Sequence, residues 1–427
     1  MTTKKIYREP IGNPARLYRQ DKFVISTFNA YAQDIRRGIE LCKELEFNMI
    51  EFGWVNPEDS LACMTACEET GIDGIFQNWE AFGGFQETKG ENQVDTEKLA
   101  EYLEHTKKYR HVVGYYVWDE PYEDEKIQAA AAQVELLERL DPERLPFTVA
   151  IPSYNPLWTW TNGKFEDYLT KYTETIQPAV LSLDYYPFFP SNPEPVDQLD
   201  SSELFLDIAL LRELALKKGI PMWFYFQTQD DPCSYGYENF TPEKVRMQQY
   251  NALLYGAKGL QNYNVFNGAI YRDGRKGPLF YFTKDLNHRC HQLGKTLMAL
   301  RSEAVFHSPE VLKGNEAFDR FRQPLSDSKV LADGELPFRC SVGEFADEEN
   351  NRYLLILNRD YCEGRTFRLP LRQKSRVYKV STEDGKQSVW DENIAEIYLH
   401  LEPGDAVLMR VQEVEEEPFL IDYILQK

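Results

Sequence analysis

Basic residues are few in this 427-residue sequence, which has 48 Lys and Arg against 69 Asp and Glu. The formal charge of −21 argues against a nucleic-acid-binding surface, because such surfaces neutralise phosphates with Lys and Arg. No run of ~18 apolar residues occurs, so we predict no membrane-spanning helix. Residues 1–10 contain two lysines with no apolar stretch behind them, which is not the pattern of a secretory signal.

Cysteine and histidine are also scarce, and neither occurs in a metal-binding pattern. The seven cysteines are mostly isolated, and Cys63 and Cys67, four residues apart, have no second pair and no nearby histidine. The sequence contains no H-E-x-x-H cluster, no G-x-S-x-G motif and no P-loop. We therefore expect a cytoplasmic protein with free thiols that uses no metal ion or other cofactor. The sequence gives no indication of the oligomeric state.

Between about residues 20 and 270, short apolar runs alternate with amphipathic helical stretches. Several runs are almost continuously apolar, as parallel strands buried on both faces are. Their spacing leaves room for a crossover helix each time, and their number suits a (β/α)8 barrel. A doubly wound open sheet is the competing interpretation, but no Gly-rich phosphate loop follows the first run. The runs are Phe23–Asn29, Asn48–Trp54, Gly74–Trp79, Val112–Glu120, Phe147–Tyr154, Ala179–Tyr186, Met222–Gln229 and Gly259–Phe266.

After about residue 310 the pattern changes to short strand candidates separated by turn-rich pieces. Regular spacing of this kind without helices indicates a small β-sandwich. We therefore predict an α/β protein with a TIM barrel over residues 1–310 and a C-terminal antiparallel β-sandwich over residues 330–427, with residues 301–333 as the connection. The candidates are Phe338–Val342, Arg352–Asn358, Thr366–Leu371, Ser375–Ser381, Ile394–Leu401 and Ala406–Val411.

The fourth run ends abruptly in Asp119, Glu120 and a proline. Active sites of such barrels lie at the C-terminal ends of the strands, so both acids are candidate site residues. Strand alternation predicts that Glu120 points the same way as Tyr116 and Trp118, and Asp119 the other way. A carboxyl group among aromatic rings should have a raised pKa, which suits a general acid. The alternative is that the two acids cap the following helix.

Three segments resemble the (β/α)8-barrel glycoside hydrolases of the large retaining clan, the beta-galactosidase-like and cellulase-like enzymes. The aromatic-Asp-Glu-Pro end of the fourth run is similar to the Asn-Glu-Pro or Asp-Glu-Pro strand end in which that clan carries its acid/base. Leu183–Phe188 resembles its sixth-strand end, and Thr241–Gly259 resembles the helix that leads into its eighth strand. The resemblance implies a barrel followed by a β-sandwich, a carbohydrate substrate, and Glu120 as the acid/base.

The sequence departs from the clan at the seventh run. The clan has its nucleophilic glutamate at the end of this strand, whereas this chain has Gln227 and Gln229. An amide cannot act as a carboxylate nucleophile, although it can hydrogen-bond a hydroxyl group or position a water. We therefore expect the clan's nucleophile to be missing from this sequence, so a second carboxylate must come from elsewhere if glycosides are hydrolysed.

Several acids could supply the second carboxylate. Asp184 ends the sixth run, Asp230 and Asp231 follow the seventh, and Glu51 lies among apolar neighbours that require it to have a partner. The respective alternatives are a structural hydrogen bond, helix capping or solvation, and a salt bridge inside the barrel. We favour Asp184. A separation of ~6.5–9.5 Å between its carboxyl group and that of Glu120 would favour inversion, and ~5 Å would permit retention.

The predicted strand ends also carry amides and aromatic rings that suit a sugar. We predict a glycoside hydrolase that cleaves an oligosaccharide or glycoside, with Glu120 and Asp184 as catalytic residues. The alternative is a non-catalytic carbohydrate-binding barrel or a pseudo-glycosidase. The predicted substrate-binding residues are Asn29, Glu51, Trp54, Asn78, Trp79, Trp118, Asp119, Tyr186, Gln227, Gln229 and Asn264.

Overall fold

The structure is a computed structural model that contains two β-sheets. It describes residues 16–29, 33–53, 55–77, 94–158, 163–188, 199–228, 240–266 and 268–414. The first sheet has eight parallel strands. They are β1 (Val24–Phe28), β2 (Met49–Phe52), β3 (Asp73–Phe76), β4 (Val112–Asp119), β5 (Leu145–Val149), β6 (Leu181–Asp184), β7 (Met222–Gln227) and β8 (Gly259–Tyr263).

These strands form a closed barrel. Their order is β5-β4-β3-β2-β1-β8-β7-β6, and β5 meets β6 through a parallel bridge between Ala150 and Leu183. The Ala150 N–H also donates a hydrogen bond to the Ser182 carbonyl oxygen at 2.9 Å. The predicted (β/α)8 barrel is therefore confirmed. The fifth strand begins at Leu145, two residues before the predicted run, and ends before Pro152, which has no N–H to donate to a sheet.

Helices separate the strands and cover the outside of the barrel. Polar caps mark several of their beginnings; the Lys244 N–H, for example, donates to the Thr241 hydroxyl oxygen ahead of Pro242. None of the helices in the described part of the chain is long and apolar enough to cross a membrane. The helices are α1 (Ile35–Glu44), α2 (Pro57–Thr70), α3 (Thr96–Thr106), α4 (Asp124–Leu140), α5 (Phe165–Ile176), α6 (Leu204–Lys218), α7 (Pro242–Leu254) and α8 (Phe280–Leu297).

The second sheet is antiparallel and has six strands. After the short helix α9 (Glu316–Asp319), the two longest strands form a bent hairpin whose register shifts between Pro370 and Ser375. Phe367 and Leu369, before the bend, pack in the same apolar cluster as Leu354, so the sheet folds over itself as a β-sandwich. The strands are β9 (Arg301–His307), β10 (Cys340–Ala346), β11 (Arg352–Asn358), β12 (Arg365–Val380), β13 (Gln387–Leu401) and β14 (Ala406–Glu413), in the order β13-β12-β14-β11-β10-β9.

Two details of this sheet differ from the sequence-based expectation. Residues 301–307 are its first strand rather than part of a connection, and β9 pairs with β10 from Arg301 to His307. Phe306 packs into the sandwich core while Val305 packs into the barrel core, so burial on both faces hides the usual alternation of a strand. The predicted strands Thr366–Leu371 and Ser375–Ser381 are two halves of the single bent strand β12.

Candidate active site

The end of β4 contains a register shift that decides which side chains enter the barrel. The pairing with β5 shifts between Tyr116 and Trp118. As a result the Tyr116 hydroxyl donates to Asp119 Oδ1 at 3.0 Å, whereas Trp118 is buried in the core outside the barrel. The alternation predicted for this strand is therefore wrong, because a bulge adds one residue and reverses the facing of those that follow. Trp118 does not lie at the site.

Glu120 follows this bulge in an unusual backbone conformation. Its φ is +50°, in the left-handed region that costs a non-glycine residue roughly 1–3 kcal/mol. Its N–H still donates to the Val149 carbonyl oxygen at 3.2 Å, so the residue continues the β4–β5 ladder. Helix α4 begins later and has Glu123 at its N-cap position, so neither Asp119 nor Glu120 caps it.

The structure places Glu120 and Asp184 close enough at the C-terminal end of the barrel for each to change the pKa of the other. Burial raises the pKa of both carboxyl groups, and the negative charge of nearby Asp119 raises both further. The hydrogen bond between them raises the pKa of Glu120 and lowers that of Asp184, as expected when Glu120 holds the proton and donates it. Glu120 and Asp119 are half-buried, whereas Asp184 is only 8 % exposed.

An aromatic surface adjoins Asp184. The neighbouring Tyr186 side chain lowers the pKa of Asp184, while Asp184 Oδ1 is buried with no partner among the described residues. The Tyr186 ring stacks on Tyr263 with centroids 5.1 Å apart, and Tyr263 lies 5.8 Å from Phe28. Sequence reasoning selected Tyr186 but missed Tyr263 and Phe28, although each is the last residue of a barrel strand. Their position at the strand ends is the feature by which the sequence could have identified them.

Glu51 is enclosed inside the barrel and has no exposed surface. Its carboxylate accepts hydrogen bonds from the Ser26 hydroxyl at 2.6 Å, from Gln261 Nε2 at 2.8 Å and from the Tyr225 hydroxyl. Burial is the main cause of its raised pKa. Three neutral donors from β1, β7 and β8 thus bind the carboxylate in place of the salt bridge considered above, and a ligand contact of Glu51 stays a prediction.

Gln227 is also fully buried, and both ends of its amide are used. Nε2 donates to the Phe188 carbonyl oxygen at 3.1 Å, and Oε1 accepts from the Phe188 N–H at 3.2 Å. The Gln227 backbone is bound in the same reciprocal way by the side chain of Gln248. The amide therefore fixes the chain after β6, and the contact of Gln227 with a ligand stays a prediction.

The remaining predicted residues lie at the same end of the barrel or outside the described residues. Asn29 directly follows β1 with a φ of +47°, and its N–H donates to the Glu51 carbonyl oxygen at 2.8 Å. Asn264 Oδ1 accepts from the Phe266 N–H at 2.9 Å and so shapes the turn after β8. No group of three or more His, Cys, Asp or Glu in the described ranges could hold a metal ion. Outside the described residues are Trp54, Asn78, Trp79, Gln229, Asp230 and Asp231.

No protein-family model and no curated protein matches the sequence. Solved structures match its fold at low identity. A putative α-galactosidase from Bacteroides fragilis NCTC 9343 aligns with a TM-score of 0.53 and 8% identity, over 92% of this chain and 80% of that one. A GH27 β-L-arabinopyranosidase from Geobacillus stearothermophilus aligns with a TM-score of 0.52 and 9% identity, over 93% and 98%. A family 51 α-L-arabinofuranosidase from Bifidobacterium longum aligns with a TM-score of 0.50 and 11% identity, over 96% and 98%.

The chain has the fold of the glycoside-hydrolase (β/α)8 barrels. The resemblance inferred from three short segments is thus confirmed at the level of fold. At 8–11% identity these alignments carry no information about which residues act or on which sugar.

Proposed function

We propose that the protein is a glycoside hydrolase in which Glu120 is the general acid. The hydrogen-bonded pair of Glu120 and Asp184 at the C-terminal end of the barrel supports this role best. A carboxyl group that keeps its proton at neutral pH can protonate the oxygen of a leaving group as the glycosidic bond breaks. The half-buried position of Glu120 leaves it accessible to a substrate.

The same contact supports a revised role for Asp184. Hydrogen-bonded carboxyl oxygens are only about 3 Å apart, which leaves no room for a sugar carbon or a water between the two groups. Catalytic carboxyl pairs are separated by at least ~5 Å. We therefore propose that Asp184 holds and orients the proton of Glu120 as a positioning residue. Among the acids that the structure describes, we propose Asp119, which is half-buried at the same end of the barrel, as the second carboxylate.

The aromatic surface supports a carbohydrate as the substrate. Tyr186 and Tyr263 combine aromatic rings with hydroxyl tips, and Phe28 adds an apolar ring against Tyr263. Sugars likewise combine apolar C–H faces with hydroxyl groups. We propose an oligosaccharide or glycoside on this basis.

A non-catalytic carbohydrate-binding barrel is the second candidate, and Gln227 is the observation that favours it. This residue ends β7, where the resemblance implies a nucleophilic glutamate, and its amide is bound to the backbone of Phe188 instead. A barrel of this kind would bind sugars without cleaving them.

Turnover of a panel of aryl glycosides and oligosaccharides separates the two functions. We expect Glu120→Gln to lower kcat/KM by roughly 10²–10⁴-fold, and by less for aryl leaving groups that need no protonation. Glu135→Gln, on the exposed face of α4, is the matched control and should leave the rate unchanged. Wild-type turnover in Glu120→Gln would contradict the assignment. Saturable sugar binding by folded wild-type protein, without turnover of any substrate, would favour the binding barrel.

A further inference from the structure

A cavity lies at the end of the barrel away from Glu120, where the barrel meets the antiparallel sheet. Its volume is about 540 Å³, which is in the range of small-molecule sites. The barrel side is formed by residues that precede β7 and β8, including Ile220 and Lys258. The sheet side is formed by Ser302, Ala346, Asp347, Glu348 and Asn350. The N-terminal ends of the strands define this region, so the cavity is separate from the candidate active site.

Arg212, from α6, is the feature of this cavity that requires a partner. Its Nε donates to the Ser302 hydroxyl oxygen at 2.8 Å, which fixes the guanidinium group in the cavity wall. Among the described residues no carboxylate forms an ion pair with it; Glu213 and Glu303 act on it only at longer range. Burial lowers the pKa of Arg212, because the desolvated charge is not fully compensated.

The buried guanidinium groups of the described residues are compensated by carboxylates. Arg359 has no exposed surface, and it pairs with Asp200 at 3.2 Å and with Glu310 at 2.9 Å. Arg339, also buried, pairs with the same Asp200. Arg212 is half-buried in the cavity wall, and it has no such carboxylate partner among the described residues. Arg212 is thus a cation whose counter-charge can come from a ligand.

The rest of the lining restricts the kind of anion. Leu216, Ile220 and Leu300 supply apolar walls, and Leu216 is still 44% exposed. Asp347 and Glu348 lie at the rim and would repel a ligand with several negative charges. We propose that this cavity binds a small monocarboxylate with an apolar body, whose carboxylate pairs with the free Nη atoms of Arg212. This inference does not depend on the proposed hydrolase function.

Calorimetric titration of the full chain with sodium benzoate tests the proposal. Benzamide, the neutral analogue of the same shape, and inorganic phosphate are titrated at the same ionic strength. We expect saturable binding of benzoate and none of benzamide or phosphate. Arg212→Met keeps an apolar stem but removes the charge, and it should weaken benzoate binding by roughly 10- to 100-fold. Arg139→Met, on exposed α4 surface, is the control and should bind like wild type.

A second variant covers the case in which Arg212→Met does not fold. Leu216→Trp fills the cavity from its exposed edge and leaves the guanidinium in place, and it should also abolish benzoate binding. The proposal is overturned if benzoate does not bind the wild type, if benzamide or phosphate binds as well as benzoate, or if either folded variant binds benzoate like the wild type. Because binding is measured directly, a failure of glycoside turnover has no influence on the result.

Discussion

The side-chain amide of Gln227 hydrogen-bonds both the N–H and the carbonyl oxygen of Phe188, at 3.2 Å and 3.1 Å. This reciprocal pair ties the end of β7 to the segment that follows Tyr186. Phe188 then packs edge to face against Phe240 and against Tyr361, which lies between β11 and β12, so the pair also links the candidate active site to the second unit. Such a pair requires one donor and one acceptor on a single side chain, which is what an amide has and an ionised carboxylate lacks.

We therefore expect Gln227→Glu to weaken the protein rather than create a nucleophile. A carboxylate cannot donate to the Phe188 carbonyl oxygen, and the unfolding free energy should fall by roughly 1–3 kcal/mol at neutral pH. The loss should shrink at low pH, because the protonated carboxyl regains a donor. Denaturant unfolding at pH 4 and pH 7 measures both effects, with exposed Gln128→Glu as the control. A covalent glycosyl-enzyme intermediate in this variant would contradict the structural role.

The second prediction concerns the proton on Glu120. Burial is the main reason for its raised pKa, and the charge of Asp184 and their hydrogen bond are further causes. Asp184→Asn removes that charge, so the pKa of Glu120 should fall and the alkaline limb of the kcat/KM profile should move to lower pH. If kcat/KM of the variant fell by the same factor at every pH and the alkaline limb did not move, Asp184 would not be a positioning residue. Glu135→Gln should keep the wild-type profile.

The third prediction follows from the raised pKa of the enclosed Glu51. In the unfolded chain this group titrates near ~4.3, whereas the folded state keeps its proton to higher pH. The folded state thus binds more protons, and this contribution to stability is present below ~4.3 and lost as pH rises towards the folded pKa. Glu51→Gln removes the titration, so the variant should gain stability relative to wild type between pH 4 and pH 8. The unfolding free energies of the variant and the wild type are measured across that pH range. A difference between them that does not change with pH would contradict the prediction.

The fourth prediction addresses the junction between the two units. Asp200 accepts hydrogen bonds from Arg339 and from the fully buried Arg359. Asp200→Asn should lower the unfolding free energy by about 3–5 kcal/mol, because it leaves two buried guanidinium groups with less counter-charge. Asp384→Asn, in an exposed turn, is the control and should change the unfolding free energy far less. Denaturant titration measures the unfolding free energy of both variants. If the two values were equal, the ion pairs of Asp200 would contribute nothing to stability.

Much of the barrel could be predicted from the sequence because buried parallel strands are marked by apolar runs. Each of the eight runs contains or overlaps a strand, and Glu120 and Asp184 end or follow strands as expected. The general position of the site at the strand ends follows from that order alone. The C-terminal strands were found for the same reason, since their turn-rich connections interrupt alternating segments.

The facing and the partners of the site residues were decided only by the tertiary structure. One bulge after Tyr116 reversed the side on which Asp119 and Trp118 lie, and a bulge leaves no mark in an apolar pattern. The hydrogen bonds of Gln227 join residues 39 positions apart in sequence. Composition and periodicity indicate which positions along the chain are buried. They do not indicate which distant atom will lie within hydrogen-bonding distance of a given side chain, because that distance is set by how the strands and loops pack against one another.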